Sequence, residues 1–151
     1  MKPGCGAGLH RWPLLLAALW WGGLSGLSFV AVPMAFAFFG NPAVAGPFAA
    51  KLFQVQAWMS LVAALTLLVW GRLQRLQGGE VTARWVMLPW LLLAALAALV
   101  QEHGVAERIL TARSTGGNLR LWHAVGTGLI VLQWLSALRV LCWLASRNGR
   151  H

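Results

Sequence analysis

The sequence predicts an all-α protein, an integral membrane four-helix bundle, and three observations carry that expectation. Hydrophobic residues make up 59% of the 151-residue chain and charged residues only 10%, with a mean hydropathy of +0.68. A soluble domain holds roughly 25% charged residues, so this chain cannot cover its apolar surface with polar side chains. The apolar residues also fall into four long blocks, and about 20 of them suffice to cross a hydrocarbon core as a helix. Finally, Leu and Ala dominate without the period-two alternation of strands, which excludes a barrel of short alternating segments. One membrane domain over residues 1–151 is expected, with spans at about 12–39, 50–70, 85–104 and 119–144.

Each span has its own signals. The first carries no charge, and Pro33 in its final third is expected to kink or tilt it. Gly40-Asn41-Pro42 ends it, with glycine as a left-handed cap and Asn-Pro as a turn. Lys2 and Arg11 precede it and Ala35-Phe36-Ala37 imitates a cleavage site, but the apolar run far exceeds the 7–15 or so residues of a signal peptide. Gly46-Pro47 stands just before the second span. The third apolar block, Trp85 to Val100, is short, so its helix is expected to continue past Val100. Asn118 is a candidate N-cap for the fourth.

Twelve Lys and Arg against three acidic residues give a net charge of +9. In a soluble protein that balance would point to nucleic acid. Here the cations fall singly or in pairs between apolar blocks, so the expected partner is the lipid bilayer and not nucleic acid. Seven cations (Lys2, Arg11, Arg72, Arg75, Arg84, Arg147 and Arg150) lie on the side of the termini, against four (Lys51, Arg108, Arg113 and Arg120) on the other. The positive-inside bias then puts both termini in the cytoplasm of a multi-pass cell-membrane protein. Ten of the twelve cations are Arg, which fits a bacterial inner membrane. Cys5 and Cys142 fall on that reducing side, so no disulfide is expected.

Small residues recur at helical spacing. Ala18, Gly22 and Gly26 repeat every four residues in span one, and Ala124, Gly126 and Gly128 group in span four. Such faces let helices approach closely in lipid, so spans one and four are expected to pack on each other or on a second copy. Ten tryptophans and no tyrosine are present. Five of them (Trp12, Trp70, Trp85, Trp122 and Trp143) stand at block ends, where indole favours the interface. Arg139, inside span four, is within reach of the headgroups by snorkelling.

The outer end is chemically richer. Lys51 and Gln54 share a face at the start of span two; Glu102 and His103 follow span three, with Glu107 one turn beyond. His123 lies one turn into span four and is expected to face the bundle with Gly126 and Thr127. A histidine in a span is a functional candidate by default, and two of them could ligate copper, zinc or haem iron. The competing reading makes His103 and His123 interfacial residues with backbone partners. The three Glu are expected in linkers, and no phosphate loop, zinc-protease or nucleophile-elbow motif occurs. No enzymatic activity is therefore expected. The chain reads as a binding or partner component, with a haem- or copper-binding redox protein as the alternative.

Several short motifs carry a resemblance: Trp21-Gly22, Phe29-Val30, Pro33 and Phe36 in span one, Gly46 followed by Lys51-Leu52-Phe53, and Leu119-Arg120-Leu121-Trp122-His123 opening span four. Over about residues 16–138 this order resembles the transmembrane protein 205-like domain, a four-span membrane family of unknown function. The resemblance implies four spans and a role in metal or stress handling. A more distant similarity to copper-resistance D-like proteins and to the membrane protoporphyrinogen oxidase family implies a metal or haem site, by fold analogy alone.

Overall fold

The computed structural model describes residues 11–76 and 81–148. Lys2, Cys5, His10, Arg150 and His151 lie outside the described residues, as do the side chains of Arg84, Trp85 and Arg113. The described residues are helical almost throughout. In chain order they form α1 (Trp12–Gly26), a π-helical turn π1 (Leu27–Ala31), α2 (Val32–Phe39), α3 (Pro42–Leu76), α4 (Val81–Val100), a second π turn π2 (Gln101–Val105), α5 (Ala106–Thr115) and α6 (Leu119–Asn148). Four helical stretches are long and apolar enough to cross a membrane: Trp12–Phe39, Pro42–Leu76, Val86–Ile109 and Leu119–Arg147. These are spans one to four below. They run alternately up and down and form a closed ring, in which one packs on two and four, and three packs on two and four. The fold is an all-α membrane four-helix bundle.

The boundaries follow from local chemistry. Gly40 takes φ +61° and its N–H donates to the Phe36 carbonyl, closing α2. Asn41 then caps the next helix, its Oδ1 accepting from the Ala43 N–H at 2.9 Å, with Pro42 at the first helical position. Span two therefore begins at Pro42, well before the expected residue 50, and Gly46-Pro47 lies inside it. A proline near the start of a helix removes few bonds, and its neighbours in a membrane bundle tolerate it. Gly116, at φ +74°, ends α5. Asn118 Oδ1 accepts from the Leu121 N–H at 3.0 Å, which is the N-cap expected for span four.

The π turns bear on two further expectations. Pro33 is the second residue of α2, separated from π1 by Val32 alone. The wider turn relieves the clash between the ring and the preceding carbonyls, so the irregularity at Pro33 is a π turn in the helix before it. Span three continues past Val100 through π2 as far as Thr115. Glu102 and Glu107 are thus helical residues and not linker residues.

Two kinds of interior alternate along the bundle axis. At the end holding Trp12 and Trp70 (the near end), an apolar core combines Ala17, Trp20, Leu24, Ala64, Leu67, Met87, Leu91, Ala94, Ala137, Val140 and Leu144. Alanines and leucines alternate across facing helices, so backbones approach closely and dispersion accumulates, which holds helices together in lipid. The outward faces stay apolar: Phe38 is 86% exposed and Leu19 69%. Such surfaces are suited to the hydrocarbon of a bilayer.

Candidate functional site

The far end and the middle of the bundle concentrate the polar side chains. On α3, Lys51 Nζ donates to Gln54 Oε1 at 3.1 Å. Gln54 Nε2 in turn donates to Glu102 Oε1 of π2 at 2.5 Å, across 48 residues of sequence. One amide therefore links a cation and a carboxylate on two spans. Lys51 is exposed, while Gln54 and Glu102 are half-buried. Of the expected outer cluster, the structure joins Lys51, Gln54 and Glu102 directly.

The histidines sit differently. Gln101 and Val105 turn inward from π2, so His103 between them is carried to the exposed side, and Glu107 is exposed as well. His123 is also exposed, against the expectation that it faces the bundle. The inward position on that turn belongs to Gly126, where a side chain would meet Val105 Cγ1 at 3.4 Å. Trp122 takes the place against span three instead, half-buried beneath the Arg108 guanidinium at 5.0 Å from its ring. Among the described residues no three His, Cys, Asp or Glu side chains converge on a point where a metal ion could be held.

The small-residue stripes also divide. Gly22, Gly26 and Gly128 open on space, with nothing within 4 Å of where a Cβ would stand. The close approach between spans one and two is made at Gly23, where a Cβ would stand 2.9 Å from Met59 Cε. Gly23 lay beside the periodic stripe in sequence and carried no spacing signal of its own.

Apart from Gln101, legible beside Glu102 at the end of the third apolar block, the structure adds residues that composition could not single out. Gln56, Ser60, Gln101, Gln133 and Ser136 are all buried. Gln133 Nε2 donates to Gln101 Oε1 at 2.7 Å, joining spans three and four. Trp20 Nε1 donates to Ser60 Oγ at 3.0 Å, and Trp134 Nε1 to Ser25 Oγ at 2.8 Å. Gln101 adjoins Glu102, so the far-end cluster and this interior layer share π2. Single glutamines and serines in apolar runs are common as interhelical hydrogen-bond formers, and only the assembled bundle shows that these share a depth.

No curated protein and no solved structure gives a significant match to the chain. One family model does match, over residues 15–118, which takes in the first three spans and the linker after them. The Leu119-Arg120-Leu121-Trp122-His123 motif falls beyond the matched residues. By that match over more than half its length, the chain belongs to the DUF4149 family, a domain of unknown function.

Proposed function

We propose that the protein is a non-enzymatic binding or partner component of a cell membrane, with its recognition surface at the far end around Lys51, Gln54, Glu102, His103 and His123. One observation carries the reading: the Gln54 amide holds Lys51 and Glu102 in a fixed arrangement between two spans. An anchored cation and carboxylate at a membrane surface suit recognition of a polar group on a ligand or partner. The resemblance to the transmembrane protein 205-like domain supports the same reading. The seven-to-four bias in Lys and Arg favours both termini in the cytoplasm, and a bacterial inner membrane fits the Arg-rich cations. Because Gly22, Gly26 and Gly128 meet nothing in their own chain, the close-packing role read from their spacing falls to a second copy in a homodimer.

The test is a visible spectrum and a metal analysis of the protein purified in detergent. A clean spectrum without stoichiometric metal is expected. A Soret band or bound copper that His123→Ala abolishes would replace this reading with a redox one. Reporter fusions after Gly79 and after Gly117 should report opposite faces, with Gly79 on the cytoplasmic one.

A further inference from the structure

The buried polar residues occupy one depth of the bundle. Trp20 meets Ser60 across spans one and two, so Ser25, about 7 Å further along its helix, lies level with Gln56, about 6 Å back along the antiparallel partner. Trp134 bonds Ser25, and its neighbour Gln133 bonds Gln101. Spans one to four thus each bring a polar group to the same layer.

Within this layer much hydrogen-bonding capacity is unmet. Gln56 is 1% exposed, yet neither its Oε1 nor its Nε2 has a partner. Gln133 Oε1 and Ser136 Oγ, on residues with 0% exposure, are unpartnered too, as are Ser28 Oγ and Trp21 Nε1. An unpaired buried polar atom is costly in an apolar medium, so a bundle that keeps several has something else to bond them. The set mixes donors and acceptors and contains no charge. A metal cation would call for carboxylates and an anion for Lys or Arg, and neither type is among these atoms. π1 contributes Ser28 and π2 contributes Gln101, and π turns recur at functional sites.

We propose that this layer is a binding site for small uncharged molecules that both donate and accept hydrogen bonds, water or a small amide, reached from the far end past Gln54 and Glu102. On the near side the apolar core of Ala64, Leu67, Leu91, Ala94, Ala137 and Val140 adjoins it, so the proposed route of entry is from the far end alone. The inference goes beyond the far-end recognition surface: its binding groups are other residues, and it stands if Gln54 and Glu102 only border the entry and recognise nothing.

The test is thiol accessibility in the full chain with both native cysteines replaced (Cys5→Ser, Cys142→Ser). Ser136→Cys changes one atom, whereas Ala137→Cys places a thiol in the neighbouring apolar core. A small membrane-impermeant cationic methanethiosulfonate reagent is applied to each face of sealed vesicles. Modification of Ser136→Cys at least ten times faster than of Ala137→Cys, from the face opposite the termini only, is expected. Equal rates for the two thiols, or modification from both faces, overturn the proposal. Acetamide that slows the reaction identifies an amide as occupant, and an unchanged rate identifies water; both fit the site. Thermal unfolding of Gln56→Leu gives an independent readout. A lower Tm is expected if a bound molecule satisfies the amide, and a higher Tm overturns the proposal, because it means that the amide is unpaired.

Discussion

Trp134 donates its indole N–H to Ser25 Oγ at 2.8 Å, and Ser25 Oγ donates onward to the Trp21 carbonyl at 2.9 Å. The first bond joins spans four and one across 109 residues of sequence. The Trp134 ring also packs on Trp21 at 5.6 Å and on Phe29 at 6.2 Å between centroids. One side chain thus supplies both the hydrogen bond and the aromatic contact that close the ring of helices.

That pairing predicts a specific coupling. Ser25→Ala leaves the Trp134 N–H without its acceptor, and Trp134→Phe removes the donor while keeping a ring. A double-mutant cycle on unfolding in detergent should give a coupling of about 0.5–1.5 kcal/mol. Additive effects would show that the bond contributes nothing measurable.

The two glutamines of the layer predict a reversal. Gln101→Leu strands Gln133 Nε2 in an apolar interior, and Gln133→Leu strands Gln101 Oε1. Each single change should cost about 1–3 kcal/mol, while the double Leu variant should recover most of the loss, because no buried polar atom of the pair is left unmet. Unfolding curves of the three variants read this directly. A double variant as unstable as the sum of the singles would mean that the pair is held by packing and not by its hydrogen bond.

Span one predicts an ordering among three neighbouring substitutions. The four-residue spacing of Ala18, Gly22 and Gly26 marks Gly22 as a close-packing position, and on that reading Gly22→Leu would disturb folding or association more than Leu24→Ala. In the structure Leu24 is 1% exposed in the core, whereas Gly22 faces open space within its own chain. Leu24→Ala should cost about 2–4 kcal/mol through the cavity it leaves. Gly22→Leu should leave folding near neutral, and Gly23→Leu, which must displace the flexible tip of Met59, should destabilise less than Leu24→Ala. Crosslinking and gel filtration then isolate association. If Gly22→Leu changes neither stability nor oligomeric state, the stripe has no packing role at all.

The sequence showed the spans, the caps and the chain's class because these rest on local chemistry. Apolar block length set the four helices, and Gly40 and Asn118 marked boundaries. It misplaced what depends on helix rotation. Gly46-Pro47 looked like a break and sits within α3, because Asn41 and Pro42 already start that helix. The π turn over Gln101–Val105 shifts the register of every residue after it, so spacing counted at 3.6 per turn could not orient His103 against Glu107. His123, on the separate helix α6, is turned outward for another reason: Gly126 and Trp122 claim the inward positions. Lys51, Gln54 and Glu102 were legible as a cluster because they stand at span ends, where depth alone brings them together. Gln56 and Gln133 were not, because their meaning lies in a depth shared across helices.

The far-end link yields the last prediction. Gln54 Nε2 donates to Glu102 Oε1, while Gln54 Oε1 accepts from Lys51 Nζ. Glu102→Gln keeps an acceptor oxygen for Gln54 but removes the charge, whereas Gln54→Leu removes the bridge and leaves a half-buried carboxylate without its donor. If the bridge fixes span two against span three, Gln54→Leu should destabilise by about 1–3 kcal/mol and Glu102→Gln by clearly less. Lys51→Ala should cost under about 1 kcal/mol, because Lys51 is exposed and its charge is solvated. Raising salt should change none of the three differences by much, since the Gln54–Glu102 bond is half-buried and short. Thermal unfolding at low and high ionic strength gives the comparison, and a Lys51→Ala loss as large as that of Gln54→Leu would move the anchor from the amide to the cation.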